Sequence, residues 1–420
     1  MKGTPVYECE SDWFVAFDQA LRQLRTKKAW SQYAIKTNII ESNQPIEQLV
    51  AAFNILYAAR GMQLKHVPSK ETLFSNLILV ITTPKEPETY HFYIKTDPGQ
   101  RFWVVYNNER QEAIQKYIRL VFQAQYRQDS IYLTNSMMEH ARDDAGGHPG
   151  GMSLSFKQLF FTPEMDFDDD TSEDDLDGPD ELDDIDEEEP ETAREGPKEV
   201  FPKPPATESS LFTPRNEAEK VKYTLRLWAG SNESYENIYT ILKSANLPVN
   251  FKNLLCYFTE DAQGVVLKEE FSFMGGFTVH GGQDLDRHVR FVEGVKDSYK
   301  KRLAAVEDYR MNLSGGKGDM ITLNLNHEIN RTGFIQRINQ FSTKFRMYFT
   351  PLYEEDGFEV YRVADLHNGD HFYAQVHDDC IHLNLHANCC GNNVLRLFTN
   401  LENYFSPGVS LIVNGEDLGA

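Results

Sequence analysis

Long apolar runs are missing from this sequence. A membrane-spanning helix needs about 18–20 consecutive apolar residues, and the longest stretch, within Asn76–Ile81, is far shorter. The first residues, MKGTPVYECESDWF, lack the apolar core of a secretion signal. Cysteine is scarce: Cys9, Cys256, Cys380, Cys389 and Cys390 are too few and too irregular for a disulfide framework. Dense Lys/Arg patches are absent, which speaks against strong phosphate binding. The exception is the short run Arg22, Arg25, Lys27 and Lys28 at one helix end. No serine-hydrolase elbow, dinucleotide fingerprint, kinase set or zinc-protease pair occurs. These absences predict a soluble, cytoplasmic protein with reduced thiols, no membrane segment and no implied cofactor.

What is present is a 420-residue chain, 40% hydrophobic and 12% aromatic, with net charge −22. The length exceeds one ordinary core and suits two or three domains. The charge is local. Residues 1–163 are net +2, residues 164–199 net −18, and residues 200–420 net −6. The acidic run leads into the proline-rich KEVFPKPPATESSLFTP. Such a segment cannot bury enough apolar surface to offset its ordering entropy. Residues 164–214 therefore read as an acidic, Pro-rich disordered linker between an N-terminal α+β domain, 1–163, and a C-terminal α+β domain, 215–420. Within it, Phe167, Leu176, Leu182 and Ile185 are spaced as anchors of an acidic interaction segment. A solvated spacer is the plainer account of the same run.

Periodicity supplies the elements. Trp13, Phe14, Phe17, Leu21 and Leu24 make one helical stripe, and Ile46, Leu49, Val50, Phe53 and Leu56 a second. Strands follow at Leu73–Thr83, Tyr90–Lys95 and Phe102–Tyr106, separated by turn signals. A helix carries Ile114, Tyr117, Ile118, Val121 and Phe122, and short strands are expected at Ile131–Thr134 and Met152–Phe156. The run AGGHPGG at 145–151 reads as a loop.

The C-terminal part contains a repeat. Ile321-Thr322-Leu323-Asn324-Leu325-Asn326 returns sixty positions later as Ile381-His382-Leu383-Asn384-Leu385-His386. Phe334, Ile335, Ile338, Phe341 and Phe345 match Val394, Leu395, Phe398, Leu401 and Phe405. Agreement across both the strand and the helix period marks a duplicated strand–helix–strand unit, with a weaker third copy starting at Tyr223. Strands at Phe358–Val363 and His371–Val376 complete a unit of order strand, helix, four strands, helix, strand. The fold class is α+β: mostly antiparallel sheets with helices packed on one face and an internal pseudo-repeat in the C-terminal part. A long helix from Asp284 to about Arg310 precedes the unit and is expected to lie across a sheet.

Two clusters carry possible chemistry. In the first, His280, Asp284 and His288 follow a glycine-rich turn, with Asp284 and His288 on one helix face. They suit an acid–base or metal trio, but a helix cap beside a tight turn accounts for them as well. In the second, His386, Cys389 and Cys390 sit after a strand; adjacent cysteines are not the spacing of a closed zinc site. The loop SGGKGD at 314–319 resembles a phosphate loop in composition only. The function that fits best is a non-enzymatic macromolecular-interaction or assembly protein whose partner is another protein. The alternatives are an enzyme or metal-binding protein at His280–His288 or His377–Cys390, and a weak nucleic-acid-binding module in the N-terminal domain regulated by the acidic tract.

Overall fold

The computed structural model describes residues 6–23, 34–84, 86–109, 116–123, 125–156, 223–228, 237, 240–241, 250–260, 264–282, 285–311, 321–405 and 408–419. The chain opens with helix α1 (Glu10–Gln23), then β1 (Lys36–Ser42), α2 (Ile46–Tyr57), β2 (Met62–Pro68), β3 (Phe74–Ile81), β4 (Glu88–Thr96), β5 (Phe102–Asn107), a π-helical turn (Arg119–Gln123) and β6 (Gln128–Ser130). The C-terminal part contains β12 (Ile321–Asn324), α5 (Arg331–Gln340), α6 (Ser342–Phe345), β13 (Met347–Glu355), β14 (Phe358–Asp365), β15 (His371–Val376), β16 (Cys380–Leu385), α7 (Asn392–Tyr404), β17 (Ser410–Val413) and β18 (Glu416–Asp417). Between them run α3 (Asn135–Asp144), β7 (His148–Phe156), β8 (Tyr223–Trp228), β9 (Asn250–Glu260), β10 (Gly264–Ser272), β11 (Gly276–Gly282) and α4 (Leu285–Asp308).

The same unit is built twice. In the N-terminal copy the strands lie in the order β2-β3-β4-β5-β1, with β6 on the side of β1 away from β5, an edge it shares with β11. In the C-terminal copy the order is β13-β14-β15-β16-β12-β17. Both run strand, helix, four strands, helical segment, strand, and all pairings are antiparallel. The fold is α+β, as the sequence pattern implies. The sixty-residue repeat inside the C-terminal copy has its own geometry. Thr322 pairs with His382, Ile321 with Leu383 and Leu323 with Ile381. Only Thr322 faces its own repeat mate; Ile321 and Leu323 each face the other's mate, so a local two-fold passes between Thr322 and His382.

The division into domains 1–163 and 215–420 needs correction. β7 and β8, on either side of the acidic tract, pair directly with Phe156 opposite Tyr223. β7 also pairs with β9, and β1 pairs with β11. Residues before and after the tract therefore share one sheet and one apolar cluster, and Met1–Glu164 with Tyr223–Ala420 form one compact unit. Residues 165–222 fall in a second unit that lies outside the described residues.

Two glycine-rich stretches are also strand where a loop or turn is expected. His148–Phe156 is continuous, and a Cβ on Gly150 would stand 2.1 Å from the Tyr257 ring of β9, so glycine is what lets the strands close there. Gly275 (φ +67°) makes the tight turn before β11, and a Cβ there would meet Ile131 at 2.3 Å.

The helices cover opposite faces. α2 places Ile46, Leu49 and Phe53 against Leu77, Leu79, Phe92 and Trp103 on one face of the N-terminal copy. α1 places Trp13 and Phe17 on the other face, against Tyr93 and Tyr106. α4 joins that second face. Its buried Phe291, Val292, Val295, Tyr299, Leu303 and Val306 recur at helical spacing and form one stripe. Among the described residues no helix is long and apolar enough to cross a membrane.

Candidate functional site

The first predicted cluster resolves into two separate contacts. His288, on α4, is fully buried; its Nδ1 lies 2.7 Å from Glu269 Oε1 and its Nε2 2.8 Å from Thr37 Oγ1. Hydroxyl, imidazole and carboxylate stand in the order that acyl-transfer enzymes use. All three residues have 0% exposure, so the chain ties α4 to β1 and β10 within the core. His280 is half-buried and bonds Glu270 Oε2 at 2.7 Å. Asp284 lies outside the described residues.

The second predicted cluster is also dispersed. His386 is exposed, with its ring 5.4 Å from that of Tyr373. Cys389 and Cys390 are buried. Cys389 Sγ accepts from Asn393 at 3.6 Å, and Cys390 Sγ lies 3.4 Å from both Glu41 Oε1 and Arg101 Nη2. Burial, with Glu41 beside it, pushes the Cys390 thiol well up. Among the described residues no group of three or more His, Cys, Asp or Glu stands where it would hold a metal ion. The proposed anchors Phe167, Leu176, Leu182 and Ile185 lie outside the described residues.

A buried polar junction between the two copies has no counterpart in the sequence expectations. Arg396, on α7, has 0% exposure and bonds Asp129 of β6 and Asp365 of β14; its Nε donates to the Phe345 carbonyl at 2.8 Å. Arg346 reaches Asp129 at 3.2 Å, and Tyr132 donates to the same carboxylate at 2.7 Å. Burial opposes ionisation of Asp129, but Arg396, Arg346 and His367 outweigh it and hold its pKa down to about 2. His367 is buried beside them and pushed by burial down to about 4. Next to this cluster Arg101 joins Glu41 (2.9 Å) to Glu307 of α4 (2.6 Å), and Gly391 N donates to Glu307 at 2.9 Å. The contacts lock β1 and β6 of the first copy to α7 of the second.

Glu402, also on α7, is a test of this packing. It is buried and accepts a backbone bond from Asn135 at 3.1 Å. Burial raises its pKa to about 7, with the Asn135 bond opposing and Glu139 adding to the rise. Between the ordinary carboxylate pKa and 7, the folded chain retains a proton that the unfolded chain has lost. Stability therefore falls as pH rises through that window. Glu402→Gln is expected to remove this part of the slope and to add about 1–3 kcal/mol at pH 8. Urea titrations of both proteins at pH 5 and pH 8 read it; equal slopes in the two proteins refute it.

The open surface lies on the other side of the C-terminal sheet. Side chains alternate along each strand. Ile381, Leu383 and Leu385 of β16 and Phe372, Ala374 and Val376 of β15 belong to the core, with Phe334, Ile335 and Ile338 of α5. The alternate set points away: Tyr348, Arg362, His371, Tyr373, His382 and Asn384 are exposed or half-buried. Arg362 pairs in register with Tyr373, and Tyr373 with Asn384. Tyr348 is 49% and Tyr373 37% exposed, and Leu352 and Tyr353 project nearby on β13. In the N-terminal copy the equivalent face, opposite α2, is the one covered by α1 and α4. Aromatic and arginine side chains without lysine are the composition of protein–protein contact surfaces.

Comparison with known proteins places the chain in a family. "Uncharacterized protein MJECL33" of Methanocaldococcus jannaschii is 28% identical over 160 residues, which covers 37% of this chain and 39% of that relative. The alignment thus spans well under two thirds of the relative. A family model described as MJECL33-like protein matches residues 17–184 and 207–418. With that match extending over most of both copies, the chain belongs to the MJECL33-like protein family.

Proposed function

We propose that this protein is a non-enzymatic macromolecular-interaction protein that holds a protein partner on the open face of β13–β16. The observation that carries the reading is the contrast between copies. One sheet buries its second face under α1 and α4, while the other leaves Tyr348, Tyr373 and Arg362 uncovered. Exposed aromatics on a sheet carry contact energy at small entropic cost when a partner covers them. All five cysteines are unbridged, in keeping with a reducing, cytoplasmic setting. The competing reading, an enzyme around His280–His288, draws on the Thr37–His288–Glu269 chain, whose complete burial leaves no atom for a substrate to touch. The acidic residues 164–214 enter as a spacer, with Phe167, Leu176, Leu182 and Ile185 as its contact points if it takes part in binding.

The test is affinity capture with the full chain, followed by mass spectrometry. Wild-type protein is expected to retain a partner protein in near-stoichiometric amount. The Tyr348→Ser/Tyr373→Ser double variant is expected to lose it while unfolding at the same denaturant concentration. Equal recovery by both proteins sinks the assignment to this face.

A further inference from the structure

We propose that the element received by the open face is an amphipathic helix of the partner, bearing an aromatic stripe and a carboxylate in its first turn. The inference rests on the proposed function above and specifies the partner's chemistry. The molecule contains the reference case. On the N-terminal copy α1 lies across the equivalent face, with the Trp13 ring 5.1 Å from Tyr93 and 5.2 Å from Tyr106. Glu10, in the first turn of α1, accepts from Tyr106 Oη at 2.8 Å and pairs with Lys95 Nζ at 2.8 Å. A phenol and a cation on the sheet meet a carboxylate on the helix.

The C-terminal copy also presents a phenol and a cation, displaced by one strand: they stand on β14 and β15, whereas Lys95 and Tyr106 stand on β4 and β5, the counterparts of β15 and β16. Arg362 and Tyr373 are direct neighbours on β14 and β15, and both are exposed. No Asp or Glu occupies an outward position of β14, β15 or β16; Glu359 and Asp365 lie on the helix side, held by Arg331 and Arg396. The centre of the face is therefore a donor surface without its own acceptor, complementary to an acidic helix start. Helix α4 precedes β12 as α1 precedes β1, but it is committed to the other sheet. Its Tyr299 meets Phe102 at 6.3 Å, Lys300 bonds Asp97 at 3.0 Å and Glu293 approaches Lys95 at 3.4 Å.

Charge separates this occupant from two others. A nucleic-acid strand needs a row of cations for its phosphates, and Arg362 is the lone Lys or Arg among the outward positions of these three strands. A second copy stacked about a two-fold through β14–β16 would bring two carboxylate-free strand sets together; the outward Glu355 of β13, opposite Phe358, lies five residues beyond Thr350, the register partner of Arg362.

The probe is a dye-labelled peptide of residues 6–23, carrying Cys9→Ser, titrated with the full chain and read by fluorescence anisotropy. Saturable binding is expected. It should weaken at least tenfold in Arg362→Glu and in Tyr373→Ala, and remain unchanged in Lys301→Glu, an exposed site on α4. A peptide with Glu10→Lys should bind the wild type weakly and regain affinity on Arg362→Glu, a rescue that a folding defect does not produce. Flat anisotropy, or equal affinity for wild type and Arg362→Glu, overturns the proposal. So does a concentration-dependent dimer that Arg362→Glu abolishes, which assigns the face to a second copy. So does oligouridine binding that is tighter than peptide binding and lost in the same variants. If the capture experiment depends on Tyr348 and Tyr373 but the peptide does not bind, the interaction reading stands and this one falls.

Discussion

Replacing Arg396 by methionine is expected to lower the unfolding free energy by about 3–5 kcal/mol, the cost of leaving buried carboxylates without their partner. Arg396 is fully buried and bridges Asp129 to Asp365. Methionine approximates its length but supplies no charge. Arg346 remains beside Asp129 at 3.2 Å, which keeps the loss from growing further. The pH dependence gives a second readout. In the wild type the folded Asp129 pKa of about 2 lies below the ordinary aspartate value of 3.8. Its contribution is present above the unfolded pKa and is lost as pH falls through the folded one. Without Arg396, burial dominates and raises that pKa. The variant then takes up a proton more readily when folded, and its deficit relative to wild type should shrink from pH 8 to pH 5. Adding Asp129→Asn and Asp365→Asn to the Met variant should recover stability by removing the stranded charges. Urea unfolding followed by tryptophan fluorescence decides the matter. A loss below 1 kcal/mol for Arg396→Met at pH 7 refutes the junction as a lock.

This junction explains which parts of the molecule were legible in the sequence. The stripes of α1, α2 and α4, and the unit from Ile321 to Val413, follow from apolar period alone, because each presents one face to the core. β1 and β6 give no such signal. In β1 both faces are covered, so Lys36, Thr37, Glu41 and Ser42 are as buried as Ile39 and Ile40. β6 is Gln128-Asp129-Ser130, three polar residues, all buried. Asp129 and the Ser130 carbonyl are satisfied by Arg396 and Asn392, residues hundreds of positions away, and no local pattern encodes such a pairing. α7 shows the same limit. Its apolar stripe is readable, but its other face, with Asn392, Arg396, Asn400 and Glu402, is buried too. A polar helix face ordinarily meets water; here it meets another polar surface. The N-terminal copy of the fold is not legible in the sequence for the same reason, since its first and last strands are these two.

The largest effect is expected from dividing the chain at the acidic tract. Residues 1–163 and 215–420, expressed apart, should each fail to unfold cooperatively, while their co-expression should restore one cooperative species. In the first piece β1 loses β11 and the face under α1 loses α4. In the second, β8 reaches the rest of its sheet only through β7, which belongs to the first piece. Each also strands charges: Asp129 without Arg396, Glu307 without Arg101. Burying one large apolar side chain is worth about 1.5–3 kcal/mol, so exposing several removes more than the whole stability of about 5–15 kcal/mol. Deleting the tract should act in the opposite direction. Phe156 and Tyr223 are direct partners, so a turn of about six residues can join β7 to β8 in place of 158–221. Loop closure costs about 0.6 kcal/mol per doubling of length. A loop roughly ten times shorter should therefore gain about 2 kcal/mol. Circular dichroism and urea titration of the three products are sufficient. Cooperative unfolding of either piece alone as a monomer, or collapse of the shortened chain, is incompatible with one sheet shared across the tract.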